Sequence, residues 1–207
     1  MKKVIVITAF LISAFATGQD QYTKGMQKAF QLWEEGNTAD ASNMFERIAT
    51  AEMDNWLPYY YVASINTIIS FGEKDKEKLE HQLEKAQEFV DLAKAISPNN
   101  PEILVQQAMI YTAWIASDGA TYGMSLSGKV VALYQKALQL APDNPRVVFS
   151  KAEWDMGSAQ YFGQDTEPYC KDVKRSLELF DTFKAESEFH PNWGEDRAKT
   201  ILKGCEK

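Results

Sequence analysis

The chain is poor in almost every residue type that builds a reactive centre, with two cysteines and two histidines among 207 residues. A metal site needs several ligands at workable spacing, and a catalytic base needs a positioned partner. His81 lies among charges on a long helical pattern and His190 precedes Pro191 in a turn, so neither meets those needs. Basic residues are also short, 22 against 29 acidic ones for a net charge of −7. That field repels nucleic acid, which asks for a basic face. Alternating strand patterns are missing, and no apolar run approaches the about 20 residues that cross a bilayer. These shortages argue against an enzyme, a metal or cofactor site, a nucleic-acid binder and a membrane span. What is present, 45% hydrophobic and 25% charged residues, is ordinary globular material rather than a disordered composition.

The start of the chain stands apart. Lys2 and Lys3 precede an apolar or small run from Val4 to Ala16, and Ala16-Thr17-Gly18 supplies the small residues of a cleavage site. Residues 1–18 are therefore expected to be a cleaved secretory signal, about 13 apolar residues being too few to anchor in a membrane. No cysteine follows that site to accept a lipid. Residues 19–207 are expected to form one exported domain, periplasmic or secreted and soluble, two charge units more negative once Lys2 and Lys3 are gone.

That domain reads as helices separated by turn signals. Ala86, Val90, Ala93 and Pro98 recur as Val130, Tyr134, Ala137 and Pro142, and again as Leu179, Phe183, Glu186 and Pro191, each time with steps of four, three and five. Ser97-Pro98-Asn99-Asn100-Pro101 and Ala141-Pro142-Asp143-Asn144-Pro145 each stop one helix and start the next, Asn capping and Pro taking a first-turn site with a spare N–H. The pattern predicts helix pairs over 21–35 with 38–53, 56–71 with 75–96, 101–117 with 128–140, and 145–160 with 168–188, then a short capping helix over 193–203. In the clearest helix, Leu79, Leu83, Ala86, Val90, Ala93 and Ile96 share one face opposite lysines and glutamates. The fold class is all-α, a helical-hairpin repeat array of the α-solenoid type.

These residues resemble tetratricopeptide repeats. A small residue precedes a large one by three in the first helix, as Ala29 with Leu32 and Ala108 with Tyr111. Small, aromatic and small residues follow in the second and a proline ends the unit, a second-helix pattern that Ala41, Phe45 and Ile48 match after Gly36-Asn37. The resemblance implies paired helices that approach closely at small residues, and a concave groove lined by the first helices. Proline spacings of 44 (98 to 142) and 49 (142 to 191) exceed the about 34 of the standard unit. The extra residues fall at 72–80, 117–129 and 161–169, expected as loops along one edge of the stack. Met53 replaces a unit-ending proline, and Asn66 and Asp155 replace large apolar residues.

Within one insertion, Gly123-Met124-Ser125-Leu126-Ser127-Gly128-Lys129 has the spacing of a phosphate-binding loop. Val130 stands where magnesium needs Ser or Thr, and a helical pattern precedes it instead of a strand, so a flexible connector is expected. Asp165 with Glu167 is too little for a calcium loop.

Cys170 and Cys205 remain after export into a compartment that permits disulfides, and a bridge between them is the economical reading; free thiols or a thiol metal site are the alternatives. Antiparallel packing raises a difficulty. About 20 residues of helix up to residue 188 rise near 30 Å, against near 17 Å for the last helix.

By helical phase under this resemblance, the groove is expected to carry Met26, Phe30, Trp33, Tyr60, Ser64, Thr67, Val105, Met109, Thr112, Arg146, Phe149 and Glu153. One basic residue, Arg146, is too little for a carboxylate clamp. The expected function is a non-catalytic protein-interaction module holding a protein or peptide segment in that groove. The alternative is a small-ligand or glycan binder using aromatic side chains near Tyr161-Phe162-Gly163. A deep aromatic pocket favours the ligand and an open apolar groove favours the protein.

Overall fold

The hairpins begin as the cap residues dictate. Asn100 Oδ1 accepts from the Glu102 N–H at 3.0 Å and Asn144 Oδ1 from the Arg146 N–H at 2.9 Å, each with proline in the first turn. The computed structural model describes residues 20–205, and the signal expected over 1–18 lies outside the described residues. Among these, nine helices and no strand are found. They are α1 (20–34), α2 (Thr38–Ala51), α3 (Trp56–Ser70), α4 (Lys76–Ile96), α5 (Pro101–Ser117), α6 (Gly119–Leu140), α7 (Pro145–Tyr161), α8 (Glu167–Thr182) and α9 (Glu195–Cys205).

Each odd helix from α3 to α7 packs on the even helix that follows, α3 packs on α5 and α5 on α7, and α9 packs on α8. The molecule is an all-α helical repeat array. Small residues set the close approaches: Ala86, Ala93, Ala108 and Ala137 are fully buried, with Phe45, Val90, Val130 and Tyr134 filling between pairs. Asn66, in a position that favours a large apolar side chain, is buried because its amide donates to Val62 O at 2.8 Å and to Ser42 Oγ at 3.2 Å.

Three expectations need correction. The insertion at 117–129 is not a loop: Asp118 alone separates α5 from α6, and its carboxylate accepts from the Thr121 N–H and caps a helix that runs straight through Gly123 to Lys129. A continuous helix offers no cradle of N–H groups to a phosphate, so the connector reading fails with the phosphate one. The last of the three spaced copies is not a helix either, because α8 stops at Thr182 and leaves Phe183 as a C-cap and Glu186 and Pro191 beyond it. That early stop removes the reach difficulty. From Cys170 to Thr182 the helix rises about 20 Å, close to the length of α9, and Cys170 and Cys205 are joined with Cα atoms 6.0 Å apart.

Candidate functional site

Stacking α3, α5 and α7 in one direction places their starts along one edge of the stack and their ends along the other. The two edges differ. Across the starts runs the non-helical segment 183–194, a strap from α8 that reaches α1 before α9 begins. Phe189 packs edge-on against Tyr22 at 5.6 Å between ring centres and stacks on Phe30 at 6.0 Å. Tyr61 Oη donates to the Phe189 carbonyl at 2.8 Å, Trp193 Nε1 donates to Tyr60 Oη at 2.7 Å, and Gln27 Nε2 donates to Glu188 Oε1 at 3.0 Å. Burial pushes both phenols well above their usual range, so they remain protonated.

Under the strap lies a buried ion pair. Arg146 Nε meets Glu102 Oε2 at 2.8 Å and Arg146 Nη2 meets Oε1 at 2.6 Å, with both side chains 1% exposed. Asn144 Nδ2 donates to the same carboxylate at 2.6 Å, the Phe183 ring lies 4.5 Å from the guanidinium, and His190 Nε2 stands 3.5 Å from Glu102 Oε1. Burial raises the Glu102 carboxyl, but its neighbours His190, Arg146 and Asn144 outweigh that and hold it below its ordinary value. Gly194 closes the segment with φ of +109°, and a Cβ there would sit 3.1 Å from the Phe180 ring.

The residues expected to line a groove therefore divide. Met26, Tyr60, Ser64, Thr67, Val105, Arg146 and Phe149 are buried, Phe30 and Trp33 are partly buried in the same aromatic cluster, and Met109, Thr112 and Glu153 are partly exposed. The buried ones do not offer a free surface, which corrects their placement in an open groove. The physical reason is the strap, together with the close stacking of α3, α5 and α7. Sequence reasoning missed Glu102, Asn144, His190 and Phe189 as members of one cluster. An acid in the first turn of α5 and Arg146 in that of α7, separated by one repeat length, were the available signal.

The ends of the odd helices are open. Ile68 and Phe71 end α3 at 46% and 51% exposure, and Tyr161 and Phe162 end α7 at 79% and 71%. Met124 near the start of α6 is 98% exposed, and Trp114 packs on Tyr122 with ring centres 5.0 Å apart. Beside Tyr161 is an open cleft lined by Glu153, Met156, Gly157, Gln160, Gln164, Asp165, Thr166, Arg197 and Ile201. Arg197 Nε pairs there with Glu153. A second open cleft lies on α1 and α2, among Lys28, Leu32, Asp40 and Met44. Neither is a deep aromatic pocket. His81 is exposed on α4, and Lys129 lies over the Tyr111 ring at 5.7 Å.

No established family profile matches the chain, and no curated protein does. Among solved structures, a thermophilic TPR protein of Thermus thermophilus superposes with a TM-score of 0.39 at 15% identity, over 89% of this chain and 98% of that one. The HusA haemophore from Porphyromonas gingivalis superposes with a TM-score of 0.77 at 21% identity, over 89% of this chain and 92% of the other. The fold of this chain is similar to that of the haemophore along nearly its whole length.

Proposed function

We propose that this chain is an exported, non-catalytic carrier of a small ligand with a planar apolar face, bound at the open edge formed by the ends of α3, α5 and α7. A haem-type tetrapyrrole is the class to test first. The observation that carries this reading is the exposure of Tyr161 and Phe162, 79% and 71%, next to the cleft holding Met156, Ile201 and Arg197. The two rings pack edge-on against each other with centres 5.1 Å apart and are otherwise left in water at a loop, and exposed aromatic side chains of this kind mark contact surfaces. A macrocycle laid against them gains about 25 cal/mol per Å² of apolar area, and Arg197, already paired through Nε with Glu153, would share its charge with an acidic substituent.

The likeness of fold to a protein named a haemophore, over 89% of this chain, supports the ligand class. The signal-like start and the disulfide support export. We read the repeating units as tetratricopeptide-like, lengthened at the open edge. The grip on an extended partner segment at the helix starts is disfavoured, because the strap already fills that half of the face. Catalysis is disfavoured because Glu102, Arg146 and Asn144 are bound to one another beneath it, with His190 of the strap closing over them at 3.5 Å from Glu102 Oε1.

The test is titration of the oxidised protein, residues 19–207, with haemin and with metal-free protoporphyrin. Saturable changes in the Soret band and quenching of tryptophan fluorescence are expected with both. No spectral change with either compound overturns the tetrapyrrole reading. Retention of one envelope protein without tetrapyrrole binding would instead assign the edge to a protein partner.

A further inference from the structure

We propose that the strap 183–194 is an occupant of the aromatic face latched by the Cys170–Cys205 disulfide, and that reducing the bridge uncovers the face for an extended peptide of the strap's own chemistry. Three observations meet here. The strap is held as a bound peptide would be, with one backbone carbonyl read by Tyr61, one aromatic side chain seated between Tyr22 and Phe30, and an acidic side chain met by Gln27. Residues 184–188 ahead of that seat are all exposed or partly so, and the hold is concentrated at Phe189, His190, Pro191 and Trp193. Beyond Gly194 the chain enters α9, in which Ala198 is the sole fully buried residue.

The disulfide closes a loop that contains the whole strap, with a sequence separation of 35. While it is intact, α8 pins one end of the strap and α9, tied to the start of α8, pins the other. Without it, strap and α9 together become an arm attached at one end, with far more open conformations. The chemical step is thiol–disulfide exchange with a dithiol reductant. One thiolate attacks a sulfur of the bridge to give a mixed disulfide, and the second displaces the protein thiol. Cys170 and Cys205 end as thiols and the reductant as a disulfide, two electrons and two protons having passed to the protein. The groove then fits a segment with an acidic residue, an aromatic residue and, two further on, a proline, the order of Glu188, Phe189 and Pro191.

The experiment is amide hydrogen exchange on the same protein, oxidised and reduced with a dithiol, with a labelled peptide of residues 184–194 as a probe in trans. Exchange over 183–205 is expected to rise by about tenfold or more on reduction, while α2 to α7 stay protected. The probe should bind the reduced protein and fail to bind the oxidised one, and a probe with Phe189→Ala should bind neither. Protection of the strap that survives reduction overturns the proposal. So does simultaneous loss of protection throughout the chain, which would make the bridge a staple of the whole fold. In a Phe189→Ala protein with its disulfide reduced, where the arm has lost its own anchor, the unmodified probe should bind at least as well as to the reduced parent. Failure to bind in that folded variant overturns the peptide-groove part without touching the proposed ligand edge.

Discussion

The two ends of the odd helices treat aromatic residues in opposite ways. At the starts, Tyr60 and Tyr61 are buried with their hydroxyl groups bonded, and Phe30 and Trp56 close around them. At the ends, Phe71, Tyr161 and Phe162 stand in water. Helical phase does not distinguish them, since Tyr60 and Phe71 fall on one stripe of α3. What separates them is the strap, which covers one edge and leaves the other bare. Exposure in a repeat array is therefore decided by what the chain lays across a face as well as by which way a side chain points.

The contrast can be broken at its buried side first. Arg146→Met leaves the Glu102 carboxylate buried without its main partner, and is expected to cost about 3–5 kcal/mol, read as a shift in the urea midpoint. A loss below about 1 kcal/mol would mean that water reaches the pair and the starts are not sealed. Tyr60→Ala and Phe149→Ala should cost a similar 3–5 kcal/mol each by opening cavities. Near-neutral melting temperatures for both would return these residues to an open groove.

Acid sharpens the comparison through Glu102. Its folded value lies below the ordinary 4.5, so an unfolded chain takes up a proton at higher pH than the folded one. The stabilisation it contributes is complete above about pH 5 and is lost as pH falls through its folded value. Thermal melts from pH 6 to pH 3 should show a steep decline that is flattened in Glu102→Gln, whose own baseline is lower. An equally steep decline in that variant would place the acid sensitivity elsewhere. The smallest effect belongs to the open edge: Tyr161→Ala and Phe162→Ala should change stability by less than about 0.5 kcal/mol. A larger loss in chemical denaturation would show that these rings are structural.

The helices were legible because their signals are local. Asn-Pro starts at 100–101 and 144–145, the small residues Ala86 and Ala93, and the charged back of α4 all act within a turn or two. The inserted stretch 117–129 misled because Gly123 and Gly128 weaken a helix by about 1 kcal/mol each without breaking it; the Asp118 cap and the packing of α6 on α5 suffice. The end of α8 misled because Phe183 and Pro191 happen to continue the spacing of earlier units. The pairing of Glu102 with Arg146 and the path of the strap depend on contacts across 44 residues and from residue 61 to 189, which no local pattern carries. The disulfide was legible from the number of cysteines and the signal-like pattern at the start of the sequence.

The central claim is that the bare edge, and not the covered starts, is the surface that meets a ligand. It is tested most directly by haemin titration of Tyr161→Ala/Phe162→Ala beside the unaltered protein, with the melting temperature of each recorded. The account predicts an unchanged melting temperature and affinity weakened by about tenfold or more, since interface anchors cost above about 1 kcal/mol each. Full affinity in that stable double variant would contradict it.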